Sequence, residues 1–186
     1  MKELSLHILD IVQNSLRAGA DLVEITIIQR SKEDLMVIEI KDNGNGMTFE
    51  EQRKVLDPFY TTRTTRRIGL GLPLFKAAAS RCNGVLSLES ALGVGTRIKA
   101  TFQMSHWDRP PLGDISETLV SLIVANPHID FVYKHQIDAE EYCFNTKSLR
   151  FVLEEIPVNT PSVLEYVRRK IKKGVESINK TNLEKQ

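Results

Sequence analysis

Cysteine is scarce in this chain. Cys82 and Cys143 are the only two among 186 residues, they stand far apart, and no Cys-x-x-Cys spacing occurs. Neither a disulfide framework nor a zinc site is suggested, and His7, His106, His128 and His135 are too scattered to supply ligands. An excess of charge is missing too. The 25 Lys and Arg against 24 Asp and Glu leave a net charge of +1, so no global field advertises a nucleic-acid, membrane or strongly acidic partner. Long hydrophobic runs are absent: Leu119 to Ala125 is already broken by Ser121, far below the roughly 20 residues that span a bilayer. No membrane insertion is expected. The start of the chain carries Lys2, Glu3 and Asp10 and no uninterrupted apolar stretch before a small-residue cleavage site, which reads as a soluble, cytoplasmic protein. Two nucleotide signatures are also lacking, G-x-x-x-x-G-K-[ST] and G-x-G-x-x-G, which removes P-loop and Rossmann readings.

At roughly 150 residues per domain the length suits one domain with a remainder. Leu9, Val12 and Leu16 recur at helical spacing beside Ile8 and Ile11, and Gly19 follows as a stop. Val23-Ile25-Ile27 and Met36-Ile38-Ile40 alternate as a strand hairpin around the charged turn Ser31 to Asp34. Thr48 and Glu51 form a capping box opening a short helix to about Leu56, broken by Asp57-Pro58. Thr61 to Arg67 has no periodicity and reads as an exposed loop. Pro73 suits the first position of a helix ending at Asn83-Gly84, and Val85 to Ser90 with Thr96 to Met104 form a second hairpin. Trp107, Pro110 and Pro111 mark a linker, placing a boundary near Asp108 between units 1–107 and 108–186. The second unit reads as a small α/β extension. It has a helix from Ile115 to Asn126 capped by Asp114, two short strands at Ile129 to Tyr133 and Tyr142 to Phe144, and a last helix from Thr160-Pro161 that frays from about Asn179.

The chemistry gathers around glycine. Asp42-Asn43-Gly44-Asn45-Gly46 follows a strand, Gly69-Leu70-Gly71-Leu72 precedes a helix, and Gly93-Val94-Gly95-Thr96 sits in a hairpin. Any one of these is ordinary turn chemistry; their order is what carries information. Gly69 and Gly71 let backbone amides at a helix N-terminus approach phosphate oxygens, and Pro73 has no N–H, so residues 69 to 72 must supply the donors. On the first helix Asp10 and Asn14 lie one turn apart, so a carboxylate and an amide oxygen converge on one point. A magnesium ion that bridges phosphates takes such oxygens.

The succession LDIVQNSLRAGA, DNGNGM, DPFYTTR, GLGLPL and GVGT resembles the ATP-binding domain shared by histidine kinases, gyrase, the heat-shock ATPase chaperones and mismatch-repair MutL proteins, known as the Bergerat fold. The likeness covers about Leu4 to Phe102. It implies a two-layer α/β sandwich in which ATP lies between the helical face of a mixed sheet and a lid. By the same resemblance Asn14 ligates Mg²⁺ and Asp42 accepts a hydrogen bond from the adenine amino group. Gly44 and Gly46 let the backbone pass close to the nucleotide, Thr96 stands near the adenine end, and Gly69, Leu70, Gly71 and Leu72 border the phosphates. Arg63 takes the place of a basic lid residue reaching the terminal phosphate, with Arg66 and Arg67 as neighbours. Asp10 departs from the pattern, because members that hydrolyse ATP or phosphorylate serine carry glutamate there. Aspartate shortens the reach by roughly 1.5 Å, and slow turnover is expected.

The GLGL motif and short lid are more similar to histidine kinases than to MutL, yet only Met1 to Gln13 precede Asn14. His7 shares a helix with the metal ligand and cannot act as a separate phosphoacceptor, so a complete autophosphorylating sensor kinase is not expected. Two readings stand: a stand-alone ATPase or protein kinase passing the γ-phosphate to water or a partner, and a nucleotide-gated binding module with little turnover. The segments HIDFVYKHQIDAEEYCFNTKSLRFVLEEIP and TPSVLEYVRRKIKKG look similar to stand-alone ATP-binding proteins found beside iron hydrogenase and quinone-oxidoreductase-like subunits, which suggests a redox-complex partner.

Overall fold

A computed structural model describes residues 2–56 and 71–184. The expected break at Asp57-Pro58, the loop Thr61 to Arg67 and the site residues Arg63, Gly69 and Leu70 lie outside the described residues. The elements run α1 (Leu4–Arg17), β1 (Leu22–Arg30), β2 (Leu35–Asp42), α2 (Phe49–Lys54), α3 (Gly71–Arg81), β3 (Leu86–Ala91), β4 (Gly95–Gln103), α4 (Ile115–Ala125), β5 (Asp130–Ile137), β6 (Glu140–Asn145), α5 (Thr146–Leu153) and α6 (Pro161–Glu184). Helix α3 begins two residues before Pro73, which is therefore not its first residue. The capping box at Thr48 and Glu51 is formed in both directions.

The six strands make one mixed sheet in the order β3-β4-β2-β1-β5-β6. All neighbours are antiparallel except β1 and β5, which run parallel from Leu22 opposite Asp130 to Gln29 opposite Ile137. Side chains alternate across a strand, so Val23, Ile25 and Ile27 fall on one face with Ile38, Ile40, Ile98, Ala100, Phe102, Phe131 and Tyr133. All ten are buried. Full burial of such a residue is worth about 1.5–3 kcal/mol, and α1, α3, α4 and α6 supply the apolar cover. The other face carries Glu24, Glu39, Lys41 and Arg97, which form ion pairs. The molecule is thus a two-layer α/β sandwich with its helical layer on one face.

Residues 108–186 continue the sheet begun before them. Met104 O accepts from Arg109 Nε, and Pro111 O and Leu112 O accept from the backbone N–H groups of Leu4 and Ser5, so the segment around the two prolines is strapped to the start of α1. The core runs without a break from α1 through β5 to Val167 and Ile171 of α6. A chain ended at residue 107 would bare the β1 edge and the faces that α4 and α6 cover. Such a truncation is expected to give no cooperative thermal transition by circular dichroism; a sharp melt would show that the first 107 residues fold alone.

Two differences from the sequence reading arise here. Helix α5 is not signalled by periodicity; Asn145 caps it by accepting from Lys147 N, and Arg150 ties it to Pro127 O and Ile129 O. The end of α6 does not fray from Asn179. It continues to Glu184, with Ile178 buried and Asn182 Nδ2 donating to Asp138 Oδ2 at 3.0 Å.

Two histidines sit inside this core. His7 stacks on Phe75 with ring centroids 5.2 Å apart; its pKa is pushed down to about 4 by burial, then by the N-terminal amine and Arg81. His135 bonds Tyr133 Oη and Gln29, and burial pushes it down to about 4 as well. Unfolding lets both rings protonate near the ordinary 6.5. Stability is therefore full above pH 6.5 and declines toward pH 4, with each histidine adding a slope of up to about 1.4 kcal/mol per pH unit. Urea titrations at several pH values should show this, and His135→Gln should lower the slope; an unchanged slope would mean that His135 is not neutral in the folded state.

Candidate functional site

The site forms where β2 ends under α1. Asp42 is the last residue of β2 and is paired with Thr96 of β4 and Val23 of β1. It lies on the helix-covered face and is only 7% exposed. A buried carboxylate needs donors, and three converge. Asp42 Oδ1 accepts the backbone N–H groups of Gly44 (3.0 Å) and Thr96 (3.2 Å), while Ser15 Oγ donates to Oδ2 at 2.5 Å. Oδ1 is thereby saturated, and Oδ2 keeps one acceptor lone pair.

The glycine loop after Asp42 is pinned to its surroundings. Asn43 Oδ1 accepts from Asp21 N and Leu22 N, and Asn45 N donates to Ala18 O at 2.7 Å just past the end of α1. Gly46 has φ +67° and passes so close to the β3–β4 turn that a Cβ would stand 1.9 Å from Ala91 O. Gly95, at φ +124°, would carry a Cβ 2.0 Å from Asp42 O. Both positions exclude any side chain.

Asp10 and Asn14 sit on α1 one turn apart, as the spacing predicts. Asn14 is exposed, and its Oδ1 accepts from Arg17 at 2.8 Å. Gly71 opens α3 directly beside Asp10: a methyl there would lie 3.2 Å from Asp10 Oδ2. Leu72 is buried in the core. The fold therefore brings Asp42, Gly44 and Thr96 into one hydrogen-bonded group, packs Gly46 against the turn that carries Gly95, and sets Asp10 against Gly71.

Sequence reasoning missed two residues. Ser15 lies on the buried side of α1, where a hydroxyl needs a partner, and that position was the available signal. Ser90 occupies an inward position of β3 and accepts from Met47 N, while Gln52 Nε2 ties α2 to Ser90 O and Met47 O. Among the described residues no group of three or more His, Cys, Asp or Glu side chains is placed to hold a metal.

Comparison with known proteins identifies the family. The profile of the family described as histidine kinase-, DNA gyrase B-, and HSP90-like ATPase matches residues 2–106. Sensor histidine kinase YxdK of Bacillus subtilis (strain 168) is 32% identical over 108 residues, which are 54% of this chain and 33% of that protein. Sporulation kinase C of the same organism is 33% identical over 88 residues, 47% of this chain and 20% of that one. The chain thus spans a third or less of the length of these curated relatives. Among solved structures, the Aquifex aeolicus MutL ATPase domain complexed with ADP shares the fold, with a TM-score of 0.51 and 16% identity over 83% of this chain and 70% of that one. With the family profile covering more than half of its residues, the chain belongs to the histidine kinase-, DNA gyrase B- and HSP90-like ATPases and carries that family's ATP-binding domain.

Proposed function

We propose that the protein binds Mg²⁺-ATP through residues 1–107 and passes the γ-phosphate to water or to a partner protein, which residues 108–186 help to dock. The observation that carries this is Asp42, a buried carboxylate with one acceptor lone pair left over after three protein donors are counted. That lone pair suits an exocyclic amino group. A base presenting a carbonyl there would meet acceptor against acceptor.

The remaining roles follow from position. Gly71 and Leu72 open α3, where the helix dipole favours phosphate. Asn14 Oδ1 would hold Mg²⁺, which supplies neutralisation of phosphate charge when bound. Asp10, beside Gly71, would take a proton from an attacking water or hydroxyl. Arg63, with Arg66 and Arg67 in reserve, would answer the terminal phosphate. The proposed setting is cytoplasmic, and the proposed partner is a subunit of a redox complex; among the described residues no helix is long and apolar enough to cross a membrane.

The short Asp10 side chain favours a second reading, a nucleotide-gated module with little turnover. Incubation with Mg²⁺ and γ-labelled ATP separates the two. Free labelled phosphate, lost in Asn14→Ala, is the result expected of an ATPase, and intact retained ATP that of a switch or of a kinase awaiting its substrate. Asp10→Glu is expected to raise phosphate release, since a misplacement of about 1 Å costs on the order of a hundredfold. Unchanged release would remove Asp10 from the proton-transfer role.

A further inference from the structure

Asn-Gly occurs three times in the chain, at Asn43-Gly44, Asn45-Gly46 and Asn83-Gly84. Asparagine is chemically labile, and most so before glycine, whose missing Cβ leaves its backbone nitrogen a clear approach to the side-chain amide carbon. The attack needs a side-chain amide free to turn and a glycine N–H free of an acceptor. All three asparagines are exposed, so exposure does not separate them. Their hydrogen bonds do.

Asn43 is held on every side. Its Oδ1 accepts from Asp21 N at 3.1 Å and Leu22 N at 3.0 Å, its Nδ2 donates to Asp21 Oδ1 at 2.5 Å, and the Gly44 N–H is committed to Asp42 Oδ1. Asn83 is held at both reacting ends. Its Nδ2 donates to Gln103 Oε1 at 2.8 Å, and the Gly84 N–H donates to Ala79 O at 3.0 Å. Asn45 differs from both. Among the described residues nothing bonds its side-chain amide or the Gly46 N–H, and the amide faces Gly19, 3.9 Å from where a Cβ would stand. Turning the peptide between Asn45 and Gly46 costs the single bond from Gly93 N to Asn45 O.

We propose that Asn45 is a site of spontaneous deamidation and that its product disables the loop between β2 and α2. The Gly46 nitrogen gives its proton to solvent and bonds to Asn45 Cγ; the Cγ–Nδ2 bond breaks, and Nδ2 leaves as ammonia with a proton taken from water. Water then opens the cyclic imide at either carbonyl. One product is aspartate, and the other is isoaspartate, in which the main chain runs through the former side chain and is one carbon longer. That carbon has no room. Asn45 N is bonded to Ala18 O at 2.7 Å and Asn45 O to Gly93 N at 2.8 Å, and Gly46 is packed so closely that a Cβ would stand 1.9 Å from Ala91 O. The longer chain must break one of these anchors, which loosens the joint between α1, the glycine loop and the β3–β4 turn.

The test is incubation of the full chain in mildly alkaline buffer, with and without denaturing urea, followed by proteolysis and mass spectrometry that locates each exchange of NH₂ for OH. In the folded chain Asn45 is expected to react at least about tenfold faster than Asn43 or Asn83, as for a group freed of one or two hydrogen bonds. In urea, where none of these bonds exists, the three rates are expected to converge. Equal rates in the folded chain overturn the proposal. A lead of Asn45 that survives in urea overturns it as well, because the neighbouring residues and not the fold would then set the rate. Thermal melting reads the consequence. The aged chain is expected to show a second, lower transition whose amplitude tracks the isoaspartate fraction. Aged Asn45→Gln, whose longer side chain closes a ring far more slowly, is expected to melt as its own fresh sample does. A modified fraction that melts with the fresh chain overturns the disabling of the loop. ADP binding should fall in the same proportion, and this arm alone rests on the reading of the site as a nucleotide site. A fresh chain that fails to bind ADP overturns that reading and leaves the deamidation standing.

Discussion

Asp42→Asn is expected to weaken ADP binding at least about a hundredfold while leaving a folded protein of lowered stability. The carboxylate accepts from Gly44 N, Thr96 N and Ser15 Oγ and has one lone pair left over. An amide has a single oxygen. If that oxygen faces Gly44 and Thr96, its NH₂ takes the place of Oδ2 and points donors at Ser15 and at the base. If it faces Ser15, two backbone N–H groups lose their acceptor. The first orientation turns the base contact from attraction into donor against donor, and the second leaves two buried N–H groups unpaired, at about 1–3 kcal/mol each. Calorimetric titration with ADP measures the binding loss, and thermal melting the stability loss. Binding within threefold of the unsubstituted chain would show that Asp42 does not read the base and serves only to join α1, β2 and β4.

Gly95→Ala is expected to be the most damaging single methyl in the sheet. The residue adopts φ +124°, a region that costs an L side chain about 1–3 kcal/mol, and the new Cβ would stand 2.0 Å from the carbonyl oxygen of Asp42. That neighbour is backbone inside a ladder and cannot rotate away. Separation of β4 from β2 must follow. A loss of about 3 kcal/mol or more is expected, which for a domain of this size lowers the melting temperature by roughly 6–12 °C. Because the displaced end of β4 carries Thr96 N, which donates to the Asp42 carboxylate, ADP binding should fall together with stability. A variant that melts normally would show that the β2–β4 ladder is not closed at Gly95.

Much of the local structure was legible in the amino-acid order because its causes are local. Helical spacing in α1, alternation in β1 and β2, the Thr48–Glu51 capping box and the Asp114 cap each depend on residues within a turn or two of one another. Helix α5 escaped because its boundary is set by Asn145 at the end of a strand and by the long reach of Arg150 to Pro127 and Ile129. The end of α6 escaped for a similar reason: its polar residues look solvated until Asp138 is found beside Asn182.

By itself the sequence determined most of the elements, the placement of glycine at the turns, the spacing of Asp10 and Asn14 one turn apart on one helix, and a motif succession specific enough to resemble one ATPase family. Only the tertiary structure decided that residues after 108 extend the same sheet, that Ser15 and not solvent satisfies Asp42, and that Ser90 joins Met47, Gly95 and Thr96. The physical reason is the range of the interactions. Periodicity and capping act over a few residues, whereas the parallel register of β1 with β5 and the bonds around Asp42 join positions far apart in the chain. Those partners acquire a definite geometry only once burial of the helix-covered face has brought the strands together.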